Sequence, residues 1–197
     1  MSKRAAPGEI QTVRGAISPA DLGFTLPHEH TKVSLWHIQG RWDYWELIGE
    51  EPRILEELGA YAAAGGRALV DLTLNGIGRD LSRLTRISEA TSLHIIAGSG
   101  WYRTAYYPPE ARIDQRTTDD LADEIVREFF DGVPGPNGPV RPGIIGEIGT
   151  DKPWVTAQEE RVFRAAARAA GASANCAKPR PASASATRGL LSRTMVS

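Results

Sequence analysis

The feature that most constrains the fold is a fourfold alternation of short apolar runs with longer segments of helical periodicity. The runs cover residues 24–26, 68–74, 93–97 and 143–149. The segments after them carry apolar residues three or four positions apart, a spacing that gives a helix one buried face. Because parallel strands need a crossover connection, strands that are each followed by a helix build a parallel sheet. The sequence therefore predicts an α/β fold with four βα units, as an open doubly wound sheet or as part of a (β/α)₈ barrel.

Capping signals mark where three of the helices begin. Asp80 and either Thr117 or Thr118 are suited to accept a hydrogen bond from the first turn of the helix that follows. The segment 156–159, Thr-Ala-Gln-Glu, has the form of a capping box. These positions predict helices that start near residues 81, 118 and 157.

The chain changes character after residue 170. Residues 171–197 are dominated by Ala, Ser, Pro and Arg, contain no Asp or Glu, and show neither helical nor strand periodicity. We predict a folded region, 1–170, followed by a disordered tail, 171–197. The tail is either a native flexible extension or the product of a reading-frame change or truncation that replaced the authentic sequence.

The charge balance argues against polyanionic partners. The chain has 23 basic and 24 acidic residues, so no overall field recruits nucleic acid or an anionic membrane surface. The basic N-terminus is followed by polar and turn residues instead of the apolar stretch of a signal peptide or membrane helix. We expect a cytoplasmic protein that binds neither nucleic acid nor membrane.

Two histidines flank one glutamate directly after the first apolar run, as His28-Glu29-His30. In a strand, residues i and i+2 project to the same face, so both imidazoles can point at one metal ion. Imidazole nitrogen is a common ligand of zinc and similar divalent ions. The alternative is two histidines that are solvent-exposed or satisfied by protein groups.

Two carboxylates lie within runs that are expected to be buried. Glu147 stands among Ile144, Ile145 and Ile148, where an ionised group is costly unless it is paired or bound to a cation. It either binds a cation or meets solvent or an arginine at the open end of the strand. Asp71 either orients a ligand histidine from behind or accepts hydrogen bonds from the backbone.

Several segments together resemble the phosphotriesterase family of the amidohydrolase superfamily. They are TVRG (12–15), GFTLPHEH (23–30), VD (70–71), GIGRD (76–80), IIAGSG (95–100) and GIIGEIGT (143–150). The resemblance covers about residues 10 to 170. It implies a TIM-type (β/α)₈ barrel with a two-metal centre at the carboxyl ends of its strands, and it favours the barrel over the open sheet.

The resemblance also implies roles for particular residues. His28 and His30 would bind one metal, and Glu147 would bridge two divalent ions, expected to be zinc, as in the phosphotriesterase-related branch that uses glutamate where other members use a carboxylated lysine. Such a pair of ions activates a water that attacks a phosphotriester, ester or lactone. Trp101 and Tyr102 would line the substrate pocket. Equally, Trp101 together with Trp36, Trp42 and Trp45 could cap the barrel mouth or bury a dimer contact.

The sequence departs from the family pattern in its second half. The family takes further ligands from its fifth, sixth and eighth strands, and none is found here; His37 and His94 are expected to be structural or exposed. A full barrel typically needs about 250 residues, so four units predict a C-terminally incomplete half barrel with weak or absent activity. The alternative function is a non-catalytic half barrel that pairs with another chain, for example as a homodimer, or an unstable remnant.

Overall fold

The computed structural model describes residues 5–35 and 46–175. Strands and helices alternate along the chain in this order: β1 (Ile10–Thr12), β2 (Gly15–Ile17), α1 (Pro19–Leu22), β3 (Phe24–Glu29), β4 (Val33–Ser34), β5 (Glu46–Leu47), α2 (Glu51–Ala63), β6 (Gly66–Asp71), α3 (Leu81–Thr91), β7 (His94–Ser99), α4 (Thr118–Phe130), β8 (Ile144–Ile145) and α5 (Ala157–Asn175). Three short 3₁₀ turns, at Thr104–Tyr106, Pro109–Ala111 and Ile113–Gln115, lie between β7 and α4.

Four of the strands form one parallel sheet in the order β3, β6, β7, β8. Each strand after the first is added on the same side of its predecessor, as in a barrel wall. A doubly wound sheet would instead reverse direction at a switch point. The predicted set of four βα units is confirmed, and the strand order is that of consecutive barrel strands.

The core lies on both faces of β6 and β7. On one face Leu69 and Ile95, which are paired in the sheet, pack against Leu84 and Ile87 of α3, and all four are at most 3% exposed. On the other face Val70 and its sheet partner Ile96 cluster with Leu72. This alternation explains why the two strands read as continuous apolar runs, since both faces are buried.

The outer strands of the sheet are covered less completely. No residue of β3 is buried, and the Phe24 side chain is 69% exposed. At the other edge β8 has only two residues, and Ile144 is 40% exposed. The best-packed part of the sheet is therefore its centre, and its two edges are open within the described residues.

The predicted helix starts are confirmed. The Asp80 side chain accepts a hydrogen bond from the backbone N–H of Arg83 at 2.9 Å. Thr117, and not Thr118, caps α4 in a reciprocal pair with Asp120. Thr156 and Glu159 form the same kind of pair at the start of α5. Each cap depends on residues within three positions of one another, which is why the sequence predicts it.

Two strand predictions are wrong at their carboxyl ends. The predicted strand 68–74 ends at Asp71, because the Asp71 side chain accepts from the backbone N–H of Thr73 and turns the chain. The predicted strand 143–149 is reduced to Ile144–Ile145, and Glu147 beyond it has a left-handed backbone with φ of 54°.

The last helix, α5, continues to Asn175, so the predicted boundary at residue 170 falls within it. Residues 176–197 lie outside the described residues, and a disordered tail over 171–197 stays a prediction. Among the helices of the described ranges, none has the length and apolar character that crossing a membrane requires.

Candidate metal centre

His28 and His30 meet Glu147 at the carboxyl ends of the strands. His28 lies within β3 and His30 directly follows it, while Glu147 follows β8. The Nε2 atoms of His28 and His30 are 3.4 and 3.7 Å from the two carboxylate oxygens of Glu147. The three ligand atoms lie within 4.8 Å of one another, close enough to share one ion. The structure thus brings together the three residues predicted to bind metal.

Thr73 holds the ring of His30. The His30 Nδ1 atom is 3.0 Å from the Thr73 hydroxyl oxygen. A metal-binding imidazole usually donates its second ring nitrogen to an oxygen, which leaves the other nitrogen's lone pair for the ion. Thr73 suits this arrangement and leaves Nε2 directed at Glu147. The sequence analysis missed Thr73, whose only signal is a hydroxyl side chain two positions after Asp71.

Asp71 contacts the backbone on either side of the site. It is 1% exposed, and one carboxylate oxygen accepts from both the N–H and the hydroxyl of Thr31 at 2.8 Å. The other oxygen accepts from the N–H of Thr73 at 3.0 Å. Of the two predicted uses, these contacts fit the hydrogen bonds to backbone. Asp71 joins the residue after His30 to the residue that holds the His30 ring.

The backbone of Glu147 directs its side chain towards the histidines. A left-handed conformation at a residue other than glycine costs about 1–3 kcal/mol and is concentrated at functional sites. The preceding residue, Gly146, packs closely against Leu72, since a Cβ atom there would lie 2.5 Å from Leu72 Cδ2 and the leucine side chain would have to shift. The backbone of the segment IIGEIG therefore departs from a regular strand at the residues beside the site.

The carboxylate of Glu147 is partly unsatisfied. Its Oε2 atom is buried and accepts no hydrogen bond from any described residue. Burial raises the pKa of Glu147, and the opposing charges of His30, His28 and Arg103 offset this only in part. A buried carboxylate oxygen with an open lone pair, facing two imidazole nitrogens, is a donor set that suits a divalent cation.

The two aromatic residues predicted to line the substrate pocket lie in different places. Tyr102 borders a cavity of ≈ 160 Å³ that also touches His30 and Glu147. Trp101 is 7% exposed and packs in a cluster with Leu121 of α4 and Val162 of α5. The structure therefore brings Tyr102 to the site and puts Trp101 behind it; a substrate role for either stays a prediction.

Two further residues near the site were missed. Arg103 lines the same cavity and lies over the rings of Tyr102 and Tyr106. Glu159, fully buried, accepts from the N–H groups of Thr104 at 3.2 Å and Asp151 at 2.7 Å as well as from Thr156. Glu159 thereby ties the loop after β7 to the loop after β8.

Hydrogen bonds outweigh burial in setting the pKa of Glu159. Burial alone would raise its pKa, but hydrogen bonds from Thr156, Asp151 and Thr104 lower the pKa to about 2. The carboxylate is thus stable in its charged form. The sequence showed only its capping role.

The remaining histidines do not join the cluster in the described structure. His94 begins β7 and so lies at the amino end of the sheet, away from His28 and His30. His37, together with Trp36, Trp42 and Trp45, lies outside the described residues.

Comparison with known proteins gives a consistent match. A model of the phosphotriesterase family matches residues 8–191. N-acetyltaurine hydrolases from Tetraodon nigroviridis and Homo sapiens are 36% and 34% identical to the chain over 190 residues. Each alignment covers 82% of this chain and 53% of the relative. The chain spans about half the length of the curated relatives it matches.

Solved structures agree in fold. A resiniferatoxin-binding protein from Rhodobacter sphaeroides has a TM-score of 0.74 at 32% identity, covering 86% of this chain and 55% of its own. A lactonase from Listeria monocytogenes has a TM-score of 0.72 at 29% identity, covering 83% and 54%. These neighbours are phosphotriesterase-like TIM barrels, so the predicted barrel fold, with four units present here, is confirmed.

Proposed function

The chain belongs to the phosphotriesterase family, and from that premise we propose that it is a metal-dependent hydrolase of small molecules. His28, His30 and Glu147 would be ligands of a centre of two divalent ions, with zinc the expected metal and Glu147 the bridging residue. The observation that carries the proposal is the buried Oε2 atom of Glu147, which accepts no hydrogen bond from the described residues, in a carboxylate that faces two imidazole nitrogens.

When bound, divalent ions lower the pKa of water and polarise a carbonyl or phosphoryl oxygen, which is the chemistry that hydrolysis needs. The residues of the chain prepare the site for this. Thr73 orients the His30 ring, and Asp71 holds Thr31 and Thr73 in place. Tyr102 gives the adjoining cavity an aromatic wall.

The substrates we propose are small phosphotriesters, esters and lactones. The cavity of ≈ 160 Å³ is smaller than the roughly 300–1,000 Å³ of sites that enclose drug-sized ligands. A small carbonyl compound therefore suits it well. The printed names of the relatives, an N-acetyltaurine hydrolase and a lactonase, extend the choice to amides and favour carbonyl over phosphoryl substrates.

Metal content tests the ligand set. We expect bound zinc, measured per chain by inductively coupled plasma mass spectrometry, to fall at least tenfold in His30→Ala, in keeping with the loss of one direct ligand. His94→Ala is the matched control, because His94 is a half-buried histidine at the opposite end of the sheet. Equal metal content in all three proteins would contradict the proposal.

Hydrolysis tests the reaction. The purified chain is assayed with paraoxon, a γ-lactone, an aryl acetate and N-acetyltaurine, before and after chelation. We expect rates below those of an ordinary enzyme, because three donors are supplied by the described residues, and we expect chelation to abolish them and zinc to restore them. Hydrolysis that is unaffected by chelation would refute metal dependence.

The second candidate is a non-catalytic half barrel that pairs with another chain, including a homodimer. The open edges favour it, since Phe24 on β3 is 69% exposed and Ile144 on β8 is 40% exposed. Size-exclusion chromatography with light scattering separates the two candidates. A defined dimer with neither metal nor hydrolysis would support this second function.

A further inference from the structure

Arg103 is held rigidly at the edge of the candidate site. Its guanidinium carbon lies 4.7 Å from the ring centre of Tyr102 and 4.9 Å from that of Tyr106. The Arg103 Nη2 atom donates to the Tyr106 hydroxyl at 3.2 Å. Tyr106 is 1% exposed, and the two rings lie 5.1 Å apart. A cation stacked on a buried aromatic pair keeps a defined direction at little further loss of entropy.

The Arg103 guanidinium forms no ion pair with a carboxylate of the described residues, although its charge acts on Glu147 and lowers the pKa of that carboxyl. Its Nε atom is buried and has no hydrogen-bond acceptor, and within residues 5–35 and 46–175 no carboxylate lies at ion-pair distance from the guanidinium. Arg79, by contrast, makes two hydrogen bonds of 2.6 Å to Glu128. Because inward-facing charges are normally paired, a cavity-lining arginine without an ion pair among the described residues needs an explanation.

The cavity beside Arg103 supplies that explanation. Its lining includes the candidate ligands His30 and Glu147 together with Arg103 and Tyr102. The remaining walls are mainly apolar, from Val33, Leu35, Ile77 and the Tyr106 ring. A small molecule whose reacting bond faces His30 and Glu147 therefore shares this cavity with the Arg103 cation.

We propose that Arg103 is a specificity-determining residue that selects substrates carrying an oxyanion group, a sulfonate or a carboxylate, in addition to the bond that is cleaved. This rests on the proposed function, since it assumes that the reacting bond lies at His30 and Glu147. The planar guanidinium matches oxyanion geometry with paired N–H donors. Neutral phosphotriesters and simple lactones do not use this group.

A purely structural role for Arg103 makes a different prediction. If Arg103 only holds Tyr102 against Tyr106, its replacement changes the binding of charged and neutral ligands equally. If it recognises an anion, replacement affects the charged ligand alone. The comparison of a charged ligand with a neutral one of the same shape separates the two roles.

The test follows the Arg103 side chain by ¹⁵N NMR in the full chain after chelation. The Nε–H cross-peak is assigned by its disappearance in Arg103→Lys. Methanesulfonate is titrated against the neutral, similarly shaped dimethyl sulfone, and acetate against acetamide as a second pair. We expect the cross-peak to move with at least one anion and with neither neutral compound, and the stronger anion identifies the preferred oxyanion.

Substitutions at Arg103 measure how much this residue contributes to anion affinity. We expect Arg103→Met to bind the preferred anion about tenfold more weakly, the scale of one charge-assisted hydrogen bond, and Arg103→Lys to lie between. Arg164→Met, which removes a 64% exposed arginine from α5, should bind as the unaltered chain does. Equal binding of anion and neutral compound, or equal weakening in Arg103→Met and Arg164→Met, overturns the proposal. If Arg103→Met does not fold, Arg103→Lys and the ligand pairs decide.

Failure here is distinguishable from failure of the proposed function. The NMR titration needs neither metal nor turnover, so a chain without hydrolase activity can still show an Arg103 anion site. Conversely, zinc-dependent hydrolysis without anion preference overturns the role of Arg103 and leaves the hydrolase intact. Where hydrolysis is measurable, Arg103→Met should raise KM for an anionic substrate about tenfold and change the KM of its neutral analogue much less.

Discussion

Glu128 and Glu147 show how differently one residue type is used in two parts of the molecule. Glu128 on α4 accepts two hydrogen bonds from Arg79 and one from Ser99, all at 2.6 Å. Burial alone would raise its pKa, but Arg79 and Ser99 hold the pKa below its usual value. One oxygen of Glu147 accepts no hydrogen bond from the described residues, and burial raises the pKa of Glu147.

The difference separates stabilising polar groups from functional ones. Around Glu128 every charge is balanced within the protein and the backbone is helical, so the cluster stabilises the fold. At Glu147 the backbone is left-handed, and the ion-pair partners among the described residues are two histidines, which carry a charge only when protonated, so Glu147 lacks the permanent countercharge that Arg79 gives Glu128. Such a group is a candidate for ligand binding.

The largest effect is expected from breaking the balanced cluster. Arg79→Met should lower the free energy of unfolding by about 3–5 kcal/mol, because it leaves the Glu128 carboxylate buried and unpaired. Urea unfolding measures the change. Arg53→Met, which breaks a surface pair whose arginine is 70% exposed, should cost less than about 0.5 kcal/mol. Similar losses of unfolding free energy in Arg79→Met and Arg53→Met would show that the buried ion pair stabilises the fold no more than the surface one.

Glu159 extends the comparison to pH. Its pKa is about 2 in the folded chain and near the ordinary 4.5 when unfolded, so the unfolded state binds more protons between these values. Stability is therefore fully present above pH 4.5 and is lost as pH falls towards 2. Glu159→Gln should remove roughly 2–3 kcal/mol at neutral pH and flatten this part of the profile. Calorimetric melting from pH 2 to 7 checks both, and an unchanged slope would contradict the role.

Asp71 shares features of both kinds of polar group. Its two carboxylate oxygens accept hydrogen bonds, as those of Glu128 do, and its partners adjoin the candidate site. Asp71→Asn should cost about 1.5–3 kcal/mol, the range for hydrogen bonds to a charged acceptor. It should also weaken zinc binding roughly 10–100-fold, since Thr31 and Thr73 are released. Asp114→Asn, at an exposed position, is the control. Lost stability with unchanged zinc affinity would show that Asp71 does not support the site.

The smallest expected effect is an increase in the stability of the metal-free chain. Glu147→Gly should raise the stability of the metal-free chain by about 1 kcal/mol, because glycine adopts a positive φ without strain. Glu147→Ala keeps the Cβ atom and should show no such gain. Both variants should lose zinc. Destabilisation by Glu147→Gly would place Glu147 with Glu128 among the groups that hold the fold together.

Local features of the structure could be predicted from the sequence, and long-range ones less well. Helix starts followed from caps such as Asp80 and Thr117, whose partners lie three residues away. The three candidate ligands followed from residue type, spacing and family resemblance. Thr73 could not be found in this way, because its contact with His30 spans 43 residues.

The backbone conformation of Glu147 and the surroundings of the Arg103 charge could not be predicted from the sequence either. The sequence IIGEIG does not predict a left-handed glutamate, because residues other than glycine rarely adopt this conformation. Arg103 was likewise unremarkable in sequence, because its missing partner is a property of the folded surroundings.

The distances at the candidate metal centre also report the shape of the whole sheet. His28 and His30 belong to the first strand of the sheet, whereas Glu147 follows the fourth. In a flat sheet these strands are three spacings apart, roughly 14 Å, and upright side chains would stay that far apart. Contacts of 3.4 and 3.7 Å therefore require the sheet to curl. The zinc affinity of the proposed centre should therefore depend on the curvature of the sheet. A core substitution far from the site that flattens the sheet should lower this affinity, even though all three candidate ligands are still present.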